Sequence, residues 1–457
     1  MKKLYLIALF ILSCLPSTAG VFNPQTMTLA NGLQVIVIPN PIGPVVSIGM
    51  IYKVGTADDP LNMVGISHFL EHMMFRGTKT VSATEFNHLL LGKGARFNAH
   101  TTYDSTVYTI KIASAYLDLA LKLEADRMQN LDFNDKLVAA EQAIVMEERL
   151  MRLDNNPFGQ AYEATLHSLY WYHPYMTPPI GYPHHIRAYT RQALEEHYQK
   201  WYGPNNAVLV ISGDVTLEQV KPLVEKYFKD IAVRPAPQRL RSVEPDHQGV
   251  TMEMTLNSPR ITLTDISWYF AAPNHNSPNK ECYYPLLVLQ QILAGNDTAR
   301  FYRHLVETKR LAVSVNVDYS PGLKPQPFGL SATLAPNISP QIMRKAMQEE
   351  LELILKKGVT EEELANAKRD ILAEFIFAQD SVNAAVAFFE PITQGFTVEE
   401  LEAIPDAIKN VTREDVFKAI QVVFAKDPTL VITVFPGKVE AKIEGTIEAK
   451  KIDVGKD

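Results

Sequence analysis

Cysteine is scarce in this sequence: only Cys14 and Cys282 occur. One possible pair cannot make a disulfide framework, so the fold must be held by its core. Positive charge is also short. Lys and Arg number 44 against 51 Asp and Glu, a net charge of −7, and no broad basic field exists to attract nucleic acid. No apolar run reaches the roughly 20 residues a transmembrane helix needs. Hydrophobic residues make up 46% and charged residues 21% of the 457. That balance excludes disorder, collagen and coiled coil as the dominant state, and at about 150 residues per domain the length suggests up to three domains.

The first residues read as a targeting segment. Lys2 and Lys3 precede an apolar run from Leu4 to Leu12, and Ser17-Thr18-Ala19 places small residues at −3 and −1 of a cleavage point after Ala19. This is the pattern of a cleaved secretory signal peptide over residues 1–19. An uncleaved anchor is an alternative. So is lipidation at Cys14, although Leu12 fits poorly in the box Ile11-Leu12-Ser13-Cys14. The location implied is the periplasm or exterior of a bacterium.

Beyond the leader, elements recur in two halves. Leu33–Ile38 and Val45–Tyr52 read as strands, Gly65–Phe75 and Ala83–Leu91 as helices, and Thr101–Ile112 as a hairpin. Long helices follow over Ala115–Asn130 and Lys136–Leu153, and Val208–Ser212 is a compact apolar strand. The second half repeats this loosely. It has strands at Arg260–Phe270, Val313–Val317, Gly329–Leu334 and Leu430–Phe435, and helices at Tyr283–Leu293, Ala299–Thr308 and Pro340–Lys357. The proline-rich stretch between the halves reads as a linker over residues 233–258, and residues 438–457 as a charged tail. The expected domains are therefore residues 24–232 and 259–437, which lowers the count to two.

The strongest chemical signal is His68-Phe69-Leu70-Glu71-His72. On a helix, residues four apart share a face, so both imidazoles can reach one ion. Glu71 borders that ion without having to bind it. Two histidines, a carboxylate and an open position compose a catalytic zinc site, where a neighbouring carboxylate can take a proton from a polarised water. A solvated helix face with coincidental histidines is the bland alternative. Phe69, Leu70 and Met73 argue against it, because buried histidines beside a glutamate need partners. A third ligand must come from elsewhere. Glu141, Glu147 and Glu148 lie on one helical segment, and spacing alone does not choose among them. His184-His185 reads as surface.

The order H-x-x-E-H marks the inverzincins. The sequence resembles the pitrilysin family of zinc metallopeptidases, the family of insulysin and the mitochondrial processing peptidase, from about Met27 to Phe435. The markers are Gly65 through Thr78, Phe97-Asn98-Ala99-His100-Thr101, Glu141 through Glu148, His173-Pro174-Tyr175 with Ile180-Gly181, and Tyr202 through Ala207 leading to Gly213-Asp214. The resemblance implies an α+β fold of two homologous domains, each an antiparallel-rich sheet with helices packed on one face. It implies one Zn2+ per chain held by His68, His72 and Glu148, with Glu71 as general base and Glu141 supporting a ligand from behind. It also places Asn98 and Ala99 on an edge strand that binds extended peptides by strand addition, a mode that tolerates varied side chains. Two such pairs of domains enclose a chamber in this family.

One departure is informative. Many family members carry an arginine and a tyrosine, seven apart, aimed at the substrate from the second half. Matched by position, these are Val306 and Val313 here, which cannot donate a hydrogen bond to a developing oxyanion. The expectation is a zinc endopeptidase acting on peptides or unfolded segments, supplying the metal half of a divided site to a homologous subunit that carries the Arg/Tyr pair, or to a second copy. The alternative is a non-catalytic scaffold or chaperone-like subunit of the same fold.

Overall fold

The computed structural model describes residues 20–235, 238–245, 250–320 and 322–437. The leader with Cys14 and the tail from Lys438 lie outside the described residues. Two sheets organise the chain. The first contains β1 (Gln25–Thr28), β2 (Gln34–Pro39), β3 (Val45–Tyr52), β4 (Arg96–Thr101), β5 (Thr106–Ala113) and β6 (Ala207–Gly213), in the order β1-β2-β6-β3-β5-β4. The second contains β7 (Met252–Ser258), β8 (Asp265–Phe270), β9 (Ala312–Asp318), β10 (Phe328–Leu334) and β11 (Leu430–Pro436), in the order β7-β11-β8-β10-β9.

The internal repeat, faint in sequence, is explicit in the topology. In each sheet the first strand of the common set pairs in parallel with the last: β2 with β6, and β7 with β11. The remaining pairs of the common set are antiparallel, in matching order. Strand β1 is the addition in the first half. Under this correspondence β9 is the counterpart of β4, and both are edge strands.

Three expectations change in the second half. The stretch expected as linker up to residue 258 ends in β7, whose Met252, Met254 and Leu256 alternate toward β11 and pack with Leu430, Ile432 and Val434. The strand expected from Arg260 starts at Asp265, because the preceding residues form the turn that reverses the chain after Ser258. The helix expected at Ala299–Thr308 is a wider π-type turn at Tyr302–Thr308.

Each sheet carries helices of its own half on one face. Val35, Val37, Ile48, Met50, Leu209 and Ile211 face helices Ile66–Met73, Leu117–Asn130 and Leu217–Phe228. The alternate residues of the same strands, Ile36, Ile38, Ile51, Val208 and Val210, join the core of the second half. Both faces are thus covered, which explains why these strands read as unbroken apolar runs. The cover on the outer face is exchanged between halves. Helix Val382–Phe388 lies over β3 and β6, and helix Pro157–Leu169 lies over β11 and β7. Gly49 marks how close the first of these comes: a Cβ there would sit 2.3 Å from Cγ1 of Val386.

Candidate active site

Helix Ile66–Met73 begins at Gly65, which adopts φ 94°, a left-handed conformation natural only to glycine. A Cβ at Gly65 would also collide with Gly181, 2.5 Å from its Cα. The two glycines therefore let the segment ending at Gly181 lie directly under the helix start. Arg149 clamps that contact by donating to the Gly181 carbonyl at 2.7 Å. Asp59 supplies the cap that glycine cannot. It accepts from the Gly65 and Ser67 amides at 2.7 and 3.2 Å and from the Ser67 hydroxyl at 2.6 Å. His197 Nε2 lies 2.9 Å from the same hydroxyl. Burial pushes the His197 imidazole down to about 3, so it stays neutral.

The helix so anchored presents His68 and His72 on one face. Helix Asp135–Arg149 crosses it and brings Glu148 to them. One ligand atom from each of His68, His72 and Glu148 lies within 4.8 Å of the others. Oε2 of Glu148 is 3.1 Å from Nε2 of His72 and 3.7 Å from Nε2 of His68. That oxygen is buried, and apart from these imidazole nitrogens it has no partner among the described residues. Glu141, one turn-pair earlier, accepts from Nδ1 of His72 at 2.8 Å and also pairs with Arg76. The other imidazole nitrogen of His72, Nε2, is thereby left to face the cluster. Glu147, the third candidate, is exposed. Glu71 sits beside the cluster and outside its ligand set, 8% exposed, with Thr101 donating to its Oε2 at 2.6 Å.

The electrostatics favour a cation. Burial would lower the pKa of His72, but its contacts with the carboxylates of Glu141 and Glu148 prevail and raise it to about 9. His68, more deeply buried and next to His72, falls to about 4. Burial would raise Glu148, yet its contact with His72 and the charge of His68 hold it below the usual carboxylate range. Two carboxylates that draw a proton onto one imidazole form a site that prefers positive charge. A divalent ion satisfies it, and two nitrogens plus one oxygen suit zinc.

Asn98 and Ala99 lie on β4, whose outer edge carries no strand among the described residues. Asn98 is exposed, and Ala99 is half-buried against the core. Val313 is the second residue of β9 and 46% exposed, and Val306 is half-buried against the core of the second half. Arg300, near in sequence, is spent on Glu363 and the Gly358 carbonyl. In the second half the counterpart of the histidine helix is Tyr283–Ala294, which has no histidine or carboxylate and packs through Leu286, Leu289, Ile292 and Leu293. His184 is exposed and His185 accepts from the Val64 amide, so neither joins the cluster. Sequence reasoning passed over three contacts: Arg76 on Glu141, Arg152 on Glu148 at 2.9 Å, and Thr101 on Glu71. The i, i+4 spacing of Glu148 and Arg152 was the one readable signal among them.

Comparisons with known proteins agree with this geometry. Residues 34–183 match the insulinase family (peptidase family M16), and residues 188–371 match the peptidase M16 inactive domain. The zinc protease PqqE of Helicobacter pylori is 30% identical over 373 residues, covering 80% of this chain and 82% of the relative. A zinc protease of Bacillus subtilis, YmxG, is 25% identical, covering 79% of this chain and 85% of that one. Among solved structures, a protease from Helicobacter pylori superposes with a TM-score of 0.84 at 28% identity, covering 90% of this chain and 99% of that chain. The first half of the periplasmic protease PqqL of Escherichia coli shares the fold, with a TM-score of 0.76 at 19% identity. With its ligand cluster in one half and an apolar counterpart in the other, the chain belongs to the insulinase family, peptidase family M16.

Proposed function

We propose that the chain is a zinc-dependent endopeptidase that hydrolyses peptides or unfolded segments. The carrying observation is the convergence of His68, His72 and Glu148 with Glu71 beside them. His68, His72 and Glu148 would hold the zinc, and Glu141 would fix the orientation of His72. When bound, zinc supplies a polarised water and positive charge for the carbonyl oxygen of the scissile bond. Glu71 accepts the proton of the attacking water and passes a proton to the leaving amine nitrogen. The open edge of β4, with Asn98 and Ala99, aligns the substrate through main-chain hydrogen bonds.

The second half contributes no donor at Val306 or Val313. The chain therefore acts as the metal-bearing member of a pair, with a homologous subunit that supplies the arginine and tyrosine. Its working place is the periplasm or the exterior, after cleavage near Ala19. Among the described residues no single helix is long and apolar enough to cross a membrane.

The test is cleavage of an unstructured peptide by the purified, zinc-loaded chain, alone and with a homologous partner. Glu71→Gln should keep the zinc and abolish cleavage, His68→Ala should lose both, and a chelator should inhibit. Activity surviving in Glu71→Gln would remove Glu71 as base. Full activity of the chain alone would remove the divided site. Zinc bound without cleavage in any arrangement would leave the scaffold reading.

A further inference from the structure

We infer that Thr101 is a positioning residue that ties the general base to the strand on which substrate is aligned; this rests on the peptidase reading above. Thr101 is the last residue of β4, the strand with the open edge. Its hydroxyl donates to Oε2 of Glu71 at 2.6 Å. That bond occupies one carboxylate oxygen and leaves the other free to meet a water. A glutamate has three side-chain torsions, and a base that swings among rotamers spends little time in reach of its proton.

The anchor itself is rigid. Thr101 pairs with Thr106 across the hairpin, and the turn is closed by the Thr102 amide on the Ser105 carbonyl at 2.8 Å. The Thr102 carbonyl in turn accepts from the Thr56 amide at 3.0 Å. Successive strand residues point to opposite faces. His100 accordingly reaches the other way, to Glu390 of the second half at 3.1 Å, and Ser105 donates to the same carboxylate at 2.9 Å. The end of β4 is therefore gripped from both sides. A peptide added along β4 takes its register from this strand, and through Thr101 the base takes its position from the same strand. A slip of one residue moves the substrate by about 3.3 Å, more than a proton transfer tolerates.

The experiment compares wild type, Thr101→Val and Thr101→Ser, all zinc-loaded, on an unstructured fluorogenic peptide. Thr101→Val keeps the shape and β-branching but lacks the donor. We expect its kcat to fall about 10–100-fold with KM changed less than about 3-fold, and zinc content unchanged. Thr101→Ser should restore most of kcat, because the hydroxyl returns. A double-mutant cycle of Thr101→Val with Glu71→Ala on urea unfolding of the metal-free chain supplies a readout without turnover, and the two changes should be non-additive. An unchanged kcat in Thr101→Val, a loss confined to KM, no rescue by serine, or additive unfolding energies would each overturn the inference. Failure of zinc-loaded wild type to cleave any peptide would instead overturn the peptidase reading, and this inference with it.

Discussion

Oε1 of Glu141 lies 2.8 Å from Nδ1 of His72, while Oε2 of the same carboxylate binds Arg76. The carboxylate is almost wholly buried, at 1% exposure. It fixes both the tautomer and the tilt of the His72 ring. Replacing Glu141 by Gln should weaken zinc binding by about 10–100-fold and leave the fold intact. Competition against a chromophoric chelator measures this. Unchanged affinity would show that His72 is held by its backbone alone.

The cap at the start of the histidine helix should matter for stability. Asp59→Ala strands the Gly65 and Ser67 amides, which have Asp59 as their partner at 2.7 and 3.2 Å. A loss of about 2–4 kcal/mol is expected, since each buried unpaired donor costs roughly 1–3 kcal/mol. Urea unfolding reads it directly. Ser67→Ala, which removes the hydroxyl's contacts with Asp59, His197 and the Gly55 carbonyl but leaves the Gly65 and Ser67 amides capped, should cost less.

Gly49 offers a test of how the halves are joined. Any side chain there meets Val386 of the crossing helix. Gly49→Leu should cost at least about 1–3 kcal/mol by overpacking. Adding Val386→Ala to Gly49→Ala should recover part of the loss, since the two sites touch. A simple sum of the two losses would argue that the helix shifts instead.

The pair His100 and Glu390 gives a pH signature. The hydrogen bond to Glu390 raises His100 above 6.5 despite burial. Burial pushes Glu390 up, but the His100 contact and charge hold it below 4.5. The raised histidine contributes fully below pH 6.5 and loses its share as pH rises through its folded value. The lowered glutamate contributes fully above pH 4.5 and loses its share as pH falls through its folded value. The stability difference between wild type and His100→Gln should thus be largest between pH 4.5 and 6.5 and shrink on both sides. Half of the His100 side chain is exposed, so the maximum should stay below about 1 kcal/mol. Both proteins are compared in the same metal state, because the Glu71 charge also faces His100. A flat difference from pH 4 to 9 would remove the pair as a contributor.

The sequence by itself carried the chemistry that is local. The i, i+4 histidines with Glu71 between them follow from helical spacing, and the apolar runs at Val45–Tyr52 and Val208–Ser212 marked strands. It also carried the element order of two halves, because that order is linear. Spacing alone could not carry the choice among Glu141, Glu147 and Glu148, which the family resemblance made. All three lie on one helix, and only the crossing angle of that helix turns Glu148 to both imidazoles, Glu141 behind His72 and Glu147 into solvent. Nor could it carry β7, whose half-polar pattern became a strand only because β11 lay beside it in parallel. The exchange of covering helices and the grip on Thr101 and His100 were decided in three dimensions as well. Each joins residues far apart in the chain, and whether such residues meet depends on how the sheets and helices pack.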